Sequence, residues 1–210
     1  MSYTQRMSTL KSRRDQFSEA TRIALLDAAT RRFGELGFAG TSLEDVAADI
    51  QATRGAVYHH FSSKRALFEA VLERLETEAM AQAEAAGAAG DNAWHSAVLA
   101  LDSFLDRCTE PIYGRIVWQE GPIALGWARW EELEQEFAYG LVEQYVRALI
   151  DGGFIAPPAL PVETTGKVAF GLLGTAGKAL AEAPMEDKAR LRAEYGAVIT
   201  RLLAGLAARP

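Results

Sequence analysis

The sequence predicts an all-α protein, and two observations carry this prediction. Apolar residues recur at intervals of three and four along most of the chain, and no sustained alternation of β-branched residues bounded by turns is found. Hydrophobic residues make up 49% of the 210 residues, and only seven prolines interrupt them. The chain can therefore bury one or two small cores between helices.

Charge is divided unevenly along the chain. Residues 1–65 hold ten Lys or Arg and seven Asp or Glu, a balance of +3, whereas residues 66–210 hold twelve and twenty-one, a balance of −9; together they give the net charge of −6. The average alone argues against nucleic acid, because proteins that bind it usually carry a basic surface. The asymmetry instead indicates that the N-terminal part binds a polyanion.

Cysteine content and hydropathy indicate a protein of the reducing cytoplasm. Cys108 is the single cysteine, so no internal disulfide can form, and no CxxC motif or histidine cluster offers a zinc site. The first twenty residues do not read as a secretory signal, and no uncharged apolar run approaches the roughly 18 residues of a membrane span. We expect no cofactor, no metal and no membrane partner.

Two helical segments are predicted first. One runs over residues 19–36 and stops at Gly37. Its apolar face comprises Ile23, Leu26, Ala29, Phe33 and Leu36. The next begins at a T-x-x-E capping box formed by Thr41 and Glu44. Its apolar positions are Leu43, Val46, Ala47 and Ile50.

A third segment of about two turns has only one narrow apolar edge. Thr53 caps its start, and Val57 and Phe61 form the edge. The positions left mostly uncovered are Arg54, Gly55, Ala56, Tyr58, His59 and His60. Ser63 caps a fourth helix. The core positions of that helix are Leu67, Phe68, Val71, Leu72 and Leu75. Two short helices with a tight connection, braced by longer ones, predict a helix-turn-helix whose second helix enters the DNA major groove.

The helix starts in this motif suit contacts to DNA. The starts at Thr41 and Ser63 present free backbone N–H groups to phosphate, and Lys64 adds a full positive charge. Arg54 can form two hydrogen bonds to guanine, and Gly55 lets the backbone approach closely.

Two other interpretations fit parts of the same segment. A generic hairpin of short helices would show the same apolar spacing. The pair His59 and His60 could bind a metal, but adjacent residues on a helix do not face each other, and only His95 remains elsewhere. DNA binding is the interpretation that explains the uncovered positions.

The stretch FGELGFAGTSLEDVAADIQATRGAVYHHFSSKRALFEAVLE resembles the N-terminal domain of the TetR (tetracycline-repressor) family of transcriptional regulators. The shared features are a first helix ending near a Gly-aromatic pair, a T-S/T-x-x-x-I/V-A second helix, a G-x-x-Y-x-H-F recognition helix and a K-x-x-L-F start of the fourth helix. The resemblance implies phosphate contacts at Thr41, Ser42, Tyr58, His60 and Lys64. It implies a groove-facing set of Thr53, Arg54, Gly55, Ala56 and His59, with His59 standing where many members have tyrosine.

The resemblance also implies two domains. An N-terminal arm and the helix-turn-helix occupy residues 1–66, and a helical domain for effector binding and dimerisation occupies residues 67–210. The arm, RMSTLKSRRDQF at residues 6–17, carries four basic residues. These either lie along DNA or belong to an unstructured chain end.

Five helices are predicted beyond the fourth, which continues to Gly87 and Gly90 and so bridges the domains. Their ranges are 94–108, 112–119, 123–150, 163–181 and 186–206. The apolar stripe of the last one comprises Leu191, Tyr195, Val198, Ile199, Leu202, Leu203 and Leu206. Gly171, Gly174 and Gly177 recur at every third position and would let a neighbouring helix approach. The resemblance implies that the last two helices form a four-helix homodimer seam; the alternative is a packing face within the chain.

All four tryptophans fall in the predicted fifth to seventh helices, together with other aromatic residues. The candidate ligand-binding residues are Phe104, Cys108, Trp118, Trp127, Trp130, Phe137 and Tyr145. Candidate orienting polar groups are Arg115, Glu120 and Glu134. The same aromatic residues can equally form ordinary core. The resemblance implies a small-molecule site in this part of the fold and does not identify its ligand.

Together these features predict a dimeric, non-enzymatic repressor that leaves a palindromic DNA operator when a small molecule binds the C-terminal domain. Two alternatives stay open. One is a small helical enzyme or ligand carrier that uses the aromatic cavity, although the chain has no G-x-S-x-G or H-E-x-x-H motif. The other is a DNA-bound activator without a ligand.

Overall fold

The computed structural model describes residues 13–155 and 161–206. Every regular element within these ranges is helical, which confirms the all-α prediction. The first five helices are α1 (Arg13–Leu36), α2 (Leu43–Asp49), α3 (Arg54–His60), α4 (Lys64–Gly87) and α5 (Ala93–Thr109). Helix α6 joins the segments Pro111–Tyr113, Gly114–Glu120 and Gly121–Leu125, and α7 joins Trp127–Glu134, Gln135–Tyr139 and Gly140–Asp151. The last two helices are α8 (Val162–Glu182) and α9 (Met185–Ala204). Residues 6–12 of the predicted basic arm lie outside the described residues.

Helix α1 buries a face that differs in part from the predicted one. Its buried residues are Leu25, Leu26, Ala28, Ala29 and Phe33. Ile23 and Leu36 were predicted to lie on this face, but about half of each side chain is exposed. Ile23 lies about a third of a turn from the centre of the buried face, and Leu36 lies in the last turn before Gly37 ends the helix with a φ of +75°. The predicted stop at Gly37 is confirmed.

Side-chain oxygens cap the starts of the next three helices. Ser42 caps α2, since its Oγ accepts the Asp45 N–H at 3.1 Å. The predicted capping box at Thr41 was therefore wrong by one residue, because the Thr41 hydroxyl instead donates to the Gly37 carbonyl at 3.0 Å. The predicted caps at Thr53 and Ser63 are confirmed by their hydrogen bonds to the backbone N–H groups three residues later.

Helix α4 joins the two parts of the molecule, as predicted. Its N-terminal half packs against α1, where Phe68 contacts Phe33 edge-on with ring centroids 5.0 Å apart. Its C-terminal half lies along α5. The buried apolar residues of α4 from Leu67 to Ala79 form one core with those of both parts. Packed side chains therefore connect the two parts of the molecule along α4.

Two wide helical turns distinguish α6 and α7 from regular α-helices. The segments Gly114–Glu120 and Gln135–Tyr139 are π-helical, a geometry that is often found at functional sites. The predicted boundary between the two helices was also wrong. Helix α6 continues to Leu125, and α7 begins only at Trp127, because Gly126 breaks the helix with a φ of +78°.

Helices α8 and α9 leave an apolar surface open while also packing within the chain. Val198 and Leu202 of α9 and Val168 of α8 are at least half exposed. A Cβ at Gly177 would lie 2.5 Å from Trp118, so this glycine makes room for a side chain of the same chain rather than for another helix. Among the described helices, none has the length and apolarity to cross a membrane.

Candidate nucleic-acid interface and ligand cavity

Helix α3 buries a single edge, as its sequence predicts. Val57 and Phe61 are buried against the N-terminal core, while Arg54, Tyr58 and His59 are exposed. The other predicted groove-facing residues also lie at the surface: Thr53 and Gly55 are exposed, and Ala56 is partly buried. Because Val57 is the one buried residue of this seven-residue helix, α3 presents most of its surface outward.

Arg54 is held in a defined position on this surface. The Arg54 Nε atom lies 3.2 Å from a carboxylate oxygen of Glu44 on α2, and the guanidinium lies 5.3 Å from the ring centroid of Tyr58. Its side chain nevertheless stays 71% exposed. Exposed ion pairs of this kind contribute little to stability, so a stronger anionic or base partner can displace Glu44.

Two of the predicted phosphate contacts have roles inside the protein. Thr41 is buried, and its hydroxyl is already donated to Gly37. Lys64 is partly buried; its ammonium donates to the Phe38 carbonyl at 2.8 Å and lies 4.4 Å from the Phe38 ring centroid. Both side chains stabilise the connection between α1 and α2. Their assignment as phosphate contacts stays a prediction from the sequence, as does that of Ser42, which is partly buried, and of Tyr58, which is exposed.

The adjacent histidines at the end of α3 are in contact with each other. The ring centroids of His59 and His60 are 5.1 Å apart and their planes are nearly perpendicular. Partial burial, and then the neighbouring His59, lower the pKa of His60. Within the described parts of the chain, no group of three or more His, Cys, Asp or Glu side chains is arranged to hold a metal ion.

A large apolar cavity of about 970 Å³ lies between helices α4 to α9. It is in the size range of sites that enclose drug-sized ligands. Five of the predicted ligand-binding residues line it: Phe104, Trp118, Trp127, Trp130 and Tyr145. The indoles of Trp118, Trp127 and Trp130 contact one another along one wall.

Two predicted ligand-binding residues do not line the cavity. Cys108 is fully enclosed in the core one turn beyond Phe104, and burial raises the pKa of its thiol. Phe137 packs against the core, and the neighbouring residues Ala138 and Tyr139 line the cavity instead. Phe137 lies in the π-helical turn of α7, and such a turn shifts the helix register that regular periodicity assumes.

The candidate polar groups fall in two different places. Glu134 lines the cavity. Arg115 and Glu120 do not, and instead join α6 to the end of α1. Arg115 donates to the Glu35 carbonyl at 2.8 Å, and Glu120 accepts the Phe38 N–H at 3.1 Å. The π-helical turn of α6 therefore carries Trp118 to the cavity and two charged side chains to the DNA-binding part.

A buried glutamate–tyrosine pair, Glu76 and Tyr113, lies near Glu134, and the sequence reasoning missed this pair. The Tyr113 hydroxyl donates to Glu76 at 2.7 Å, and both side chains are fully enclosed. Desolvation raises the pKa of Glu76 to about 7, with the Tyr113 hydrogen bond and Arg107 opposing the shift. Burial, and then Glu76, raise the pKa of the neighbouring Glu134. A glutamate on the otherwise apolar face of α4 was the available signal.

Packing at Gly177 can be tested with a pair of alanine substitutions in α8. Gly177→Ala places a methyl group 2.5 Å from the Trp118 ring, so the indole must move, and we expect a loss of about 1–3 kcal/mol in unfolding free energy. Gly171→Ala meets nothing within 4 Å and should stabilise α8 by up to about 1 kcal/mol. Urea denaturation at fixed protein concentration measures both. Equal effects would show that Gly177 is not confined by Trp118.

The geometry defines a class of protein: a helix-turn-helix joined by one long helix to a helical domain with a large apolar cavity. Residues 94–206, more than half of the chain, match the family profile described as "Tetracyclin repressor-like, C-terminal domain". Residues 25–71 match the profile "Bacterial regulatory proteins, tetR family". The chain belongs to the TetR family.

Individual relatives support the same assignment over different lengths. The HTH-type transcriptional regulator TtgR of Pseudomonas putida is 41% identical over 58 residues, 28% of each chain. The HTH-type transcriptional repressor Rv3405c of Mycobacterium tuberculosis is 39% identical over 75 residues, 36% of this chain and 40% of the relative. Each match thus spans less than half of the relative. A TetR-family regulator from Pectobacterium atrosepticum has a crystal structure that superposes with a TM-score of 0.79, at 29% identity, over 93% of this chain and 98% of that one.

Proposed function

We propose that this chain is a ligand-responsive transcriptional regulator that acts as a homodimeric repressor in the cytoplasm. Residues 1–66 bind operator DNA, and residues 67–210 bind a small-molecule effector and dimerise. The observation that carries the proposal is the exposed face of α3 on a buried core, linked by α6 to the wall of a large apolar cavity.

The DNA contact is made by α3 and the helix starts around it. Arg54 lies exposed at the leading end of α3, where a guanidinium can reach base edges in the major groove. Tyr58 and His59 lie on the same exposed helix. Ser42 and His60 lie beside this face and contact the flanking phosphates.

Dimerisation uses the outer surfaces of α8 and α9. Val168, Val198 and Leu202 are exposed on these two helices, and burial of such side chains is the main favourable term in protein association. A two-fold dimer places two α3 helices in successive major grooves, about 34 Å apart, on a palindromic site.

Ligand binding changes the spacing of the two α3 helices through α6. Trp118 in the cavity wall and Glu120 at the α1 contact are two residues apart in the same π-helical turn. A ligand that moves Trp118 shifts the contacts of Arg115 and Glu120 with the end of α1. The population then moves toward a dimer whose α3 helices no longer match the operator.

The alternatives are less well supported. Membership of a family of regulatory proteins favours a regulator over a helical enzyme or ligand carrier. An activator without a ligand leaves the large apolar cavity without a role. The name of the mycobacterial relative, a repressor, favours repression.

Selection of binding sites from random DNA duplexes tests the proposal. We expect enrichment of an inverted repeat whose half-sites lie about one helical turn apart. Arg54→Ala should then lower affinity for the selected site by about fivefold to a hundredfold, and affinity for unselected DNA much less, because base contacts rather than phosphate contacts specify sequence. Gel shifts at fixed salt measure both.

Arg147→Ala is the matched control, since it removes an exposed arginine of α7 that pairs with Glu143. Arg147→Ala should change the affinity for neither the selected site nor unselected DNA. Equal losses by Arg54→Ala on selected and unselected DNA would assign Arg54 to phosphate binding, and a lack of any enriched repeat would refute operator binding.

A further inference from the structure

The inner wall of the cavity contains a carboxyl group without a partner. Glu134 is 4% exposed, and its Oε1 atom is fully buried with no hydrogen-bond partner among the described residues. Leaving a buried polar group unpaired costs free energy, so such a group in a native structure calls for a partner. A bound ligand with a hydrogen-bond donor would supply the missing partner.

Buried indoles line the cavity together with Glu134, and no cationic group of the described residues opposes the rise in the pKa of Glu134. Trp118 and Trp130 line the same inner wall, and the faces of indole rings attract cations. The lysines that line the cavity, Lys167 and Lys178, are exposed and lie near acidic side chains of their own helix. Within the described lining, the buried ionisable group is therefore a carboxyl and not an amine or guanidinium.

We propose that the effector of this cavity is a lipophilic organic cation, an aromatic or aliphatic molecule whose protonated amine binds Glu134. This inference rests on the proposed function, because it names the chemistry of the ligand that the regulator senses. An anionic ligand requires Glu134 to keep its proton, and the buried part of the described lining offers such a ligand no cationic side chain. A neutral hydroxyl would satisfy the hydrogen bond without using the charge.

The proton balance of binding is simple. Burial and Glu76 raise the pKa of Glu134, so the empty cavity favours the neutral carboxyl. An ammonium group that reaches Glu134 favours the carboxylate, and the carboxyl proton leaves to solvent. The other titratable or charged groups of this region are Glu76 on α4, Arg107 and Cys108 on α5, and Tyr113 on α6.

Three probes with the same aromatic body separate the ligand classes: pyrenylbutylamine, pyrenylbutanol and pyrenylbutyric acid. Energy transfer from the cavity tryptophans to the pyrene reports binding to the full-length protein without DNA. We expect the amine to bind roughly tenfold or more tightly than the alcohol, because a hydrogen bond to a charged group is the stronger one, and the acid to bind most weakly. Tighter binding of the acid, equal binding of amine and alcohol, or binding of none of the three would overturn the proposal.

Glu134→Gln identifies the residue responsible. It should abolish the preference for the amine while leaving the alcohol within about threefold of its original affinity. Glu131→Gln, which removes an exposed carboxylate from the cavity lining, should keep the preference and so controls for general attraction to an acidic protein. If both variants lose the preference equally, the amine is not bound by Glu134.

These outcomes are separate from those of the proposed function. A preference for the amine can be present in a protein that selects no DNA site, and operator binding can be present in a protein that prefers the acid. The first result would retain the ligand chemistry and reject the regulator; the second would do the reverse.

Discussion

Replacing Glu76 with glutamine is expected to raise the free energy of unfolding by about 3 kcal/mol at about pH 8 and to change it little at about pH 4. Burial raises the pKa of Glu76 from 4.5 to about 7. Between these values the folded protein binds more protons than the unfolded chain, so its stability falls as the pH rises through about 7. Glutamine has no charge to bury, and its amide oxygen can still accept the Tyr113 hydroxyl.

Urea denaturation at both pH values, at one protein concentration, measures this effect. Glu84→Gln on the exposed side of the same helix should follow the wild type at each pH. Some pH dependence should remain in Glu76→Gln, because burial also raises the pKa of Glu134. If Glu76→Gln and the wild type lose the same unfolding free energy between the two pH values, ionisation of Glu76 does not cause the loss.

The hydrogen-bonded pair of Glu76 and Tyr113 shows what sequence periodicity cannot reveal. Glu76 and Tyr113 are 37 residues apart, and their hydrogen bond depends on how α4, α5 and α6 pack. The same holds for Arg115 and Glu120, which were predicted to orient a ligand and instead bind backbone groups about eighty residues earlier in the chain. The sequence shows which residues of an amphipathic helix are charged. Tertiary packing decides which groups those residues bind.

Features that depend on residues close in sequence were predicted more reliably than tertiary contacts. The caps at Thr53 and Ser63, the stop at Gly37 and the single buried edge of α3 each depend on residues within one or two turns, and each was predicted from the sequence. The start of α2 was wrong by one residue because Thr41 and Ser42 both have hydroxyls that can cap a helix. Only the backbone geometry at Ser42 decides between them.

The cavity residues were predicted better than the tertiary contacts of charged side chains but less well than the helix ends. Most of its aromatic residues were found because tryptophans are concentrated in the fifth to seventh helices. Phe137 does not line the cavity because a π-helical turn shifts the register of α7, and Cys108 does not because the cavity ends at Phe104. A regular helical repeat predicts which side of α5 faces inward. It does not predict the point along α5 at which the cavity ends and close packing begins.

Replacing Gly37 with alanine is expected to lower the free energy of unfolding by about 1–3 kcal/mol and to weaken the response of DNA binding to ligand. Gly37 has a φ of +75°, which strains any residue with a Cβ, and its added methyl group would overlap Glu120 Oε1. Glu120 would lose the Phe38 N–H, and with it the contact through which α6 holds the end of α1. The Glu120 carboxylate must then move away from its position near Arg115.

Two measurements separate strain from coupling. Urea denaturation gives the stability change, and operator affinity with and without the tightest-binding pyrenylbutyl probe gives the coupling factor, which must be the same when probe affinity is measured with and without operator. Gly140→Ala in α7, where a methyl group meets nothing within 4 Å, should leave the coupling unchanged. In a Glu120→Ala background, Gly37→Ala should still cost stability through φ but should not reduce the coupling further. A full ligand response in Gly37→Ala would show that α6 does not act on α1 through this contact.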